Sequence, residues 1–100
     1  MSNIPQISLP TINLNGSPGD RLGEEYYLVA RTVESAMRKM QEFVSPHPRD
    51  YISDAAYQDA NKEHVTRMKA LANVFNELAA ISESCYLQHE ERVSSRARRI

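Results

Sequence analysis

"SPHPRDYIS", residues 45–53, interrupts two long helical patterns, and its reading decides the fold. Pro46 disfavours helical geometry at Ser45 and so ends the first pattern. Pro48 is the last proline, and no glycine follows it, so nothing breaks a helix once a second one has started. Ser53 and Asp50 are both suited to cap that start. Two helices joined by so short a connection fold back on each other. The chain therefore reads as all-α, a long antiparallel two-helix hairpin with helices over about 18–44 and about 53–92.

Upstream of the turn, Leu22, Tyr26, Val29, Val33, Ala36, Met40 and Phe43 recur at spacings of 4, 3, 4, 3, 4 and 3, a strict heptad seam. Ala30, Met37 and Val44 widen the stripe to that of a bundle helix. Ser17 is the expected N-cap, with Pro18 at the first helical position and Asp20 adding charge to the first turn. Glu34 and Arg38 are placed for an i,i+4 ion pair on the outer face.

Before that helix, residues 1–16 hold Pro5, Pro10 and Gly16, with Ile7/Leu9 and Ile12/Leu14 alternating. This is an extended arm, with "TINLNG" as a short strand candidate that needs a groove or a second copy to lie against. Downstream of the turn, the second helix carries Tyr57, Ala60, Val65, Met68, Leu71, Phe75, Leu78 and Cys85 as one register. Ala72, Val74, Ala79, Ile81 and Leu87 form a second face. His64 falls on the seam, where a hydrogen-bonded interior histidine or a polar register-setter is expected.

The predicted helices differ in length by ~20 Å, at ~40 Å and ~60 Å. That leaves Ile81, Cys85, Tyr86 and Leu87 without cover, and a two-helix hairpin shields only one side of each helix. Self-association meets both demands, as an antiparallel pair of hairpins in a four-helix bundle or as a larger ring. A kink folding back the second helix meets them within one chain. Tyr27 and Tyr86 suit an oligomer contact, whereas Tyr26 and Tyr57 fall on apolar stripes.

Composition narrows the function. The chain has 100 residues, so it makes one domain or one subunit. Its one cysteine, Cys85, permits no intrachain disulfide, and a reducing cytoplasmic location is expected. No leader and no membrane span is read from the sequence. Arg92, Arg96, Arg98 and Arg99 crowd the last nine positions, a basic segment (93–100) expected to fray, and leave residues 1–91 with 8 basic and 13 acidic groups, a net of −5. A body of that sign is a poor general nucleic-acid binder. No glycine-rich phosphate loop, nucleophile elbow or H-E-x-x-H occurs, so no enzyme and no cofactor is expected. Cys85 and His89, four apart, share a helix face but lack the further ligands a zinc site needs.

The turn itself gathers His47, Arg49, Asp50 and Tyr51. As a site, Arg49 grips phosphate or carboxylate in a bidentate fork, His47 donates to a phosphate oxygen, and Tyr51 stacks on a base, all beside a helix N-terminus. As a plain turn, Asp50 caps, Arg49 pairs with Asp50 or another acid, and Tyr51 covers the end of the core.

The order "NLNG" at 13–16, a long helix, "PHPRDY" at 46–51 and a second long helix resembles a group of short, largely uncharacterised tailed-bacteriophage proteins that pair an N-x-N-G opening with a P-H-x-R-D-Y turn. The likeness spans about residues 12–82. It departs at Ile52, where members often carry a second tyrosine. The resemblance implies a phage accessory protein acting in the host cytoplasm, with His47, Arg49, Asp50 and Tyr51, together with Asn13, Asn15 and Gly16, as its distinctive polar set. By analogy with small helical phage proteins that sequester nucleotide immune signals, it implies a non-enzymatic sponge for a small phosphorylated or nucleotide ligand, bound at a subunit interface. The alternative is an interaction module that captures a host protein through the apolar overhang of its second helix.

Overall fold

A computed structural model describes residues 7–12 and 16–98, with side chains through Ser94. Two helices account for nearly all of it: α1, Gly19–Phe43, and α2, Asp54–Arg98, joined through a single 3₁₀ turn at Pro48–Asp50. They form an antiparallel hairpin in a body of 71 × 28 × 20 Å. Among the described residues there is no strand, and no helix is long and apolar enough to cross a membrane.

α1 begins one residue later than the sequence suggests. Ser17 makes no capping bond; Pro18 occupies the N-cap, and its carbonyl accepts from the Leu22 amide at 3.0 Å. Asp20 supplies the polar contact of the first turn, accepting from the Arg21 amide at 2.9 Å. At the far end Val44 closes the helix on the Met40 carbonyl, as Pro46 requires. Glu34 pairs with Arg31 at 3.5 Å rather than with Arg38, one of three exposed intrahelical pairs that contribute little.

α2 starts on a true cap, Ser53 Oγ accepting from the Ala56 amide at 3.1 Å. Its 45 residues, ~67 Å of helix, run unbroken, so no kink folds its end back. The backbone stays helical to Arg98, past the expected end at residue 92 and through most of the segment expected to fray.

The side of α1 that meets α2 is not centred on the Leu22–Phe43 seam. The buried residues of α1 are Gly19, Gly23 and Ala30. Their line continues through half-buried Met37 to Gln41, which reaches His64. At about 100° per residue this line lies about 80° around the helix from the predicted seam. Of that seam, Leu22, Tyr26, Val33 and Met40 are half-buried, whereas Ala36 is exposed, Val29 is 52% exposed and Phe43 71% exposed. The partner stripe on α2 agrees with the sequence from Met68 to Cys85: Met68, Leu71, Phe75 and Leu78 are half-buried and Cys85 is fully buried.

Close approach explains the choice. A methyl group on Gly19 would stand 2.9 Å from the Cys85 carbonyl oxygen and 2.9 Å from the His89 Cβ. One on Gly23 would meet the Tyr86 ring at 3.1 Å. Ser82 Oγ, itself buried, donates to the Gly23 carbonyl at 2.7 Å. Small residues let the backbones come together here, whereas the larger residues of the seam would hold them apart.

This register corrects the expected overhang. The connection lets α2 begin beyond the end of α1, so the start of α1 lies against residues 82–89. Cys85 is covered, Ile81 is half-buried and Tyr86 lies on Gly23. The arm covers a neighbouring strip. Gln88 clamps it with both ends of its amide, accepting from the Ile12 amide at 2.9 Å and donating to the Pro10 carbonyl at 3.0 Å. Ile7 and Leu9 line a groove of about 720 Å³ with Ala79, Ala80 and Leu87. Leu87 stays 53% exposed, and the stretch "EERVS" at 90–94 carries one further exposed apolar side chain, Val93.

Candidate functional site at the inter-helix turn

His47 and Tyr51, the residues flanking the 3₁₀ turn, are extended, with φ near −123° and −125°. Between them the Asp50 amide donates to the His47 carbonyl at 3.0 Å and the Tyr51 amide to the Pro48 carbonyl at 3.3 Å. With Pro48 fixing its own φ, these bonds hold the segment in one shape. The Tyr51 ring leans on Tyr57, centroids 6.2 Å apart and planes 55° apart.

His47, Arg49, Asp50 and Tyr51 are all exposed. Among the described residues Arg49 and Asp50 make no ion pair, and neither side chain makes a hydrogen bond. Among the described residues the two structural duties available to them are therefore not performed: Ser53 caps α2, and Arg49 holds no acid. The adjacent Ile52 is 99% exposed.

The hairpin does not bring the arm to this turn. Ile12 is tied to Gln88, and a methyl on Gly19 would meet Ile12, so the arm sits where α1 begins, a full helix length from where it ends. Asn13 and Asn15 lie outside the described residues. A site made of the turn and of the arm's described residues requires two copies.

Behind the turn lies a polar cluster that the sequence showed only in part. His64 is 5% exposed, its Nε2 3.2 Å from Gln41 Oε1 and 3.5 Å from Ser45 Oγ. Ser45 Oγ also donates to the Gln41 carbonyl at 2.6 Å. The cluster ties the last turn of α1 to α2 and borders a groove of about 430 Å³ with Met37, Val65 and Met68. His64 stood out by falling on an apolar seam; Gln41 did not, because a glutamine beside the stripe widened by Ala30 and Met37 carries no hydrophobic signal. Gln88 carried no signal, since an arm-clamping glutamine looks like any other on a helix surface.

Cys85 is buried, and that burial pushes its thiol above the ordinary value of 9.0. A thiol held neutral in this way is a poor nucleophile. Burial also raises the Tyr86 phenol, with Glu24, Asp20 and Tyr27 adding to the shift. Among the described residues no three His, Cys, Asp or Glu gather as a metal site, around Cys85 and His89 or elsewhere. No known protein family, curated protein or solved structure matches the chain.

Proposed function

We propose that the protein is a non-enzymatic, self-associating binding protein that holds a small phosphorylated or nucleotide ligand between the turn of one copy and the arm of another. The observation that carries this reading is Arg49: a guanidinium on a turn fixed by two backbone bonds, exposed, and without an ion-pair partner among the described residues. A rigid fork of donors beside a stackable ring, at the approach to a helix N-terminus, suits a phosphate attached to a base. Arg49 grips the phosphate, His47 donates to it, Tyr51 stacks, and Asn13 and Asn15 of the neighbouring arm meet polar edges. The likeness to tailed-bacteriophage proteins supplies the setting, a sponge for a nucleotide immune signal in the host cytoplasm. Capture of a host protein is the weaker reading, because of the overhang it needs Cys85 is buried and Ile81 half-buried, which leaves only Tyr86 and Leu87 exposed.

Native mass spectrometry of protein purified gently from cells tests the reading. The expected result is an oligomer carrying mass that denaturation releases as a phosphorylated compound. Arg49→Ala should lose that mass without a change in melting temperature. An oligomer without bound mass that also ignores a panel of nucleotides would sink the proposal. So would a loss of fold in Arg49→Ala.

A further inference from the structure

We infer that the Leu22–Phe43 seam of α1 is the contact with a second copy of this chain, the two α1 helices running antiparallel about a two-fold axis. The inference deepens the ligand reading, because the partner then completes the site.

The area is the first reason. A compact monomer of 11.4 kDa exposes roughly 5,800 Å². This chain exposes 7854 Å². Part of the surplus of about 2,000 Å² reflects an elongated shape, and a standard interface covers roughly 800 Å² per partner. Ala30 and Cys85 are its only fully buried hydrophobic residues among those described.

The pattern is the second reason. The seam keeps a strict heptad over three repeats, a regularity needed only for contact with another helix. Yet α2 takes the adjacent side, about 80° away. Two helix contacts at nearly a right angle are what each member of a four-helix bundle makes.

The third reason is that the seam complements itself. Set antiparallel, alternate positions of two heptads meet: Leu22 against Met40, Tyr26 against Ala36, Val29 against Val33, each twice by symmetry. Large residues meet small or flexible ones. In the same register Glu25 flanks Lys39 of the other copy on both sides of the axis, and both residues are exposed. A parallel pairing would instead set Glu25 opposite Ala30 and Lys39 opposite Val44, without an ion pair.

The consequence concerns the site. Phe43, 71% exposed, comes level with the other copy's Gly19, so each turn lies beside the other copy's arm. His47, Arg49 and Tyr51 thus meet the arm of the other copy, whose Pro10 and Ile12 a single hairpin keeps at its opposite end.

Sedimentation equilibrium of the full chain tests the pairing. Wild type should be a dimer, or an even-numbered assembly of dimers. Val29→Glu should give a folded, helical monomer, while Val65→Glu, on the exposed part of the other side of the hairpin, keeps the wild-type state. Glu25→Lys should weaken association about threefold or more, and Glu25→Lys with Lys39→Glu should restore it. A monomeric wild type, a Val29→Glu chain that still associates, or dissociation by Val65→Glu alone would overturn the inference. An associated wild type that follows this scheme but binds no nucleotide leaves the pairing standing and removes only the ligand reading.

Discussion

Val29 and Ala30 are neighbours in sequence on opposite sides of a boundary along α1. Ala30 is 2% exposed and belongs to the line of small residues, Gly19, Gly23 and Ala30, that lets α2 approach. Val29 is 52% exposed and belongs to the regular apolar heptad. The side with the weaker hydrophobic signal closes the hairpin, and the side with the stronger one stays partly open. Regular large apolar residues announce that a helix will be covered without saying by which helix. Small residues matter through the distance they permit, which no hydropathy pattern registers.

The largest expected effect breaks the comparison at its centre. Ala30→Glu buries a carboxylate without a partner and should cost about 3–5 kcal/mol, enough to unfold the hairpin in a thermal melt followed by circular dichroism. Val29→Glu, one residue away, should leave the helicity of the isolated chain intact. Equal damage from both would show that the boundary is misplaced.

Gly19→Val comes next. Its Cβ meets a backbone oxygen rather than a flexible side chain, so the helices must move apart, at about 2–3 kcal/mol. For a domain of this size each kcal/mol lowers the midpoint by about 4–8 °C. A melting temperature within a degree of wild type would refute the close approach.

His64 sharpens the same contact from the α2 side. His64→Ala leaves a cavity and deprives Gln41 of its partner, a loss of about 1–3 kcal/mol. His64→Leu should cost less, since it fills the space and Gln41 can turn to water from the rim. The reverse order would show that the hydrogen bond, not the packing, dominates.

Smaller still is the effect of pH. Burial raises the Cys85 thiol above 9.0 in the folded chain. The folded state therefore keeps a proton that the unfolded state gives up, and stability falls as pH rises above that value. The Tyr86 phenol shifts the same way above 10.0. The melting temperature of Cys85→Ala should decline less steeply in the first part of this window. A thiol reagent should label wild type only as fast as the chain opens; immediate labelling in native buffer would contradict the buried position. Least of all, Arg49→Ala should change stability by less than about 0.5 kcal/mol, because its exposed side chain makes no ion pair or hydrogen bond among the described residues.

The sequence by itself determined that there are two helices, where the connection lies, and the stripe of α2 from Met68 to Cys85, since prolines, caps and heptad spacing act over a few residues. It also marked His47, Arg49, Asp50 and Tyr51 as a set, because they are consecutive and held by one turn. Only the tertiary structure decided which side of α1 meets α2, the register that puts Gly19 on Cys85 and Tyr86 on Gly23, and the place of the arm under Gln88. Those outcomes depend on how closely two backbones can approach across dozens of residues, a property of paired surfaces rather than of either segment read alone.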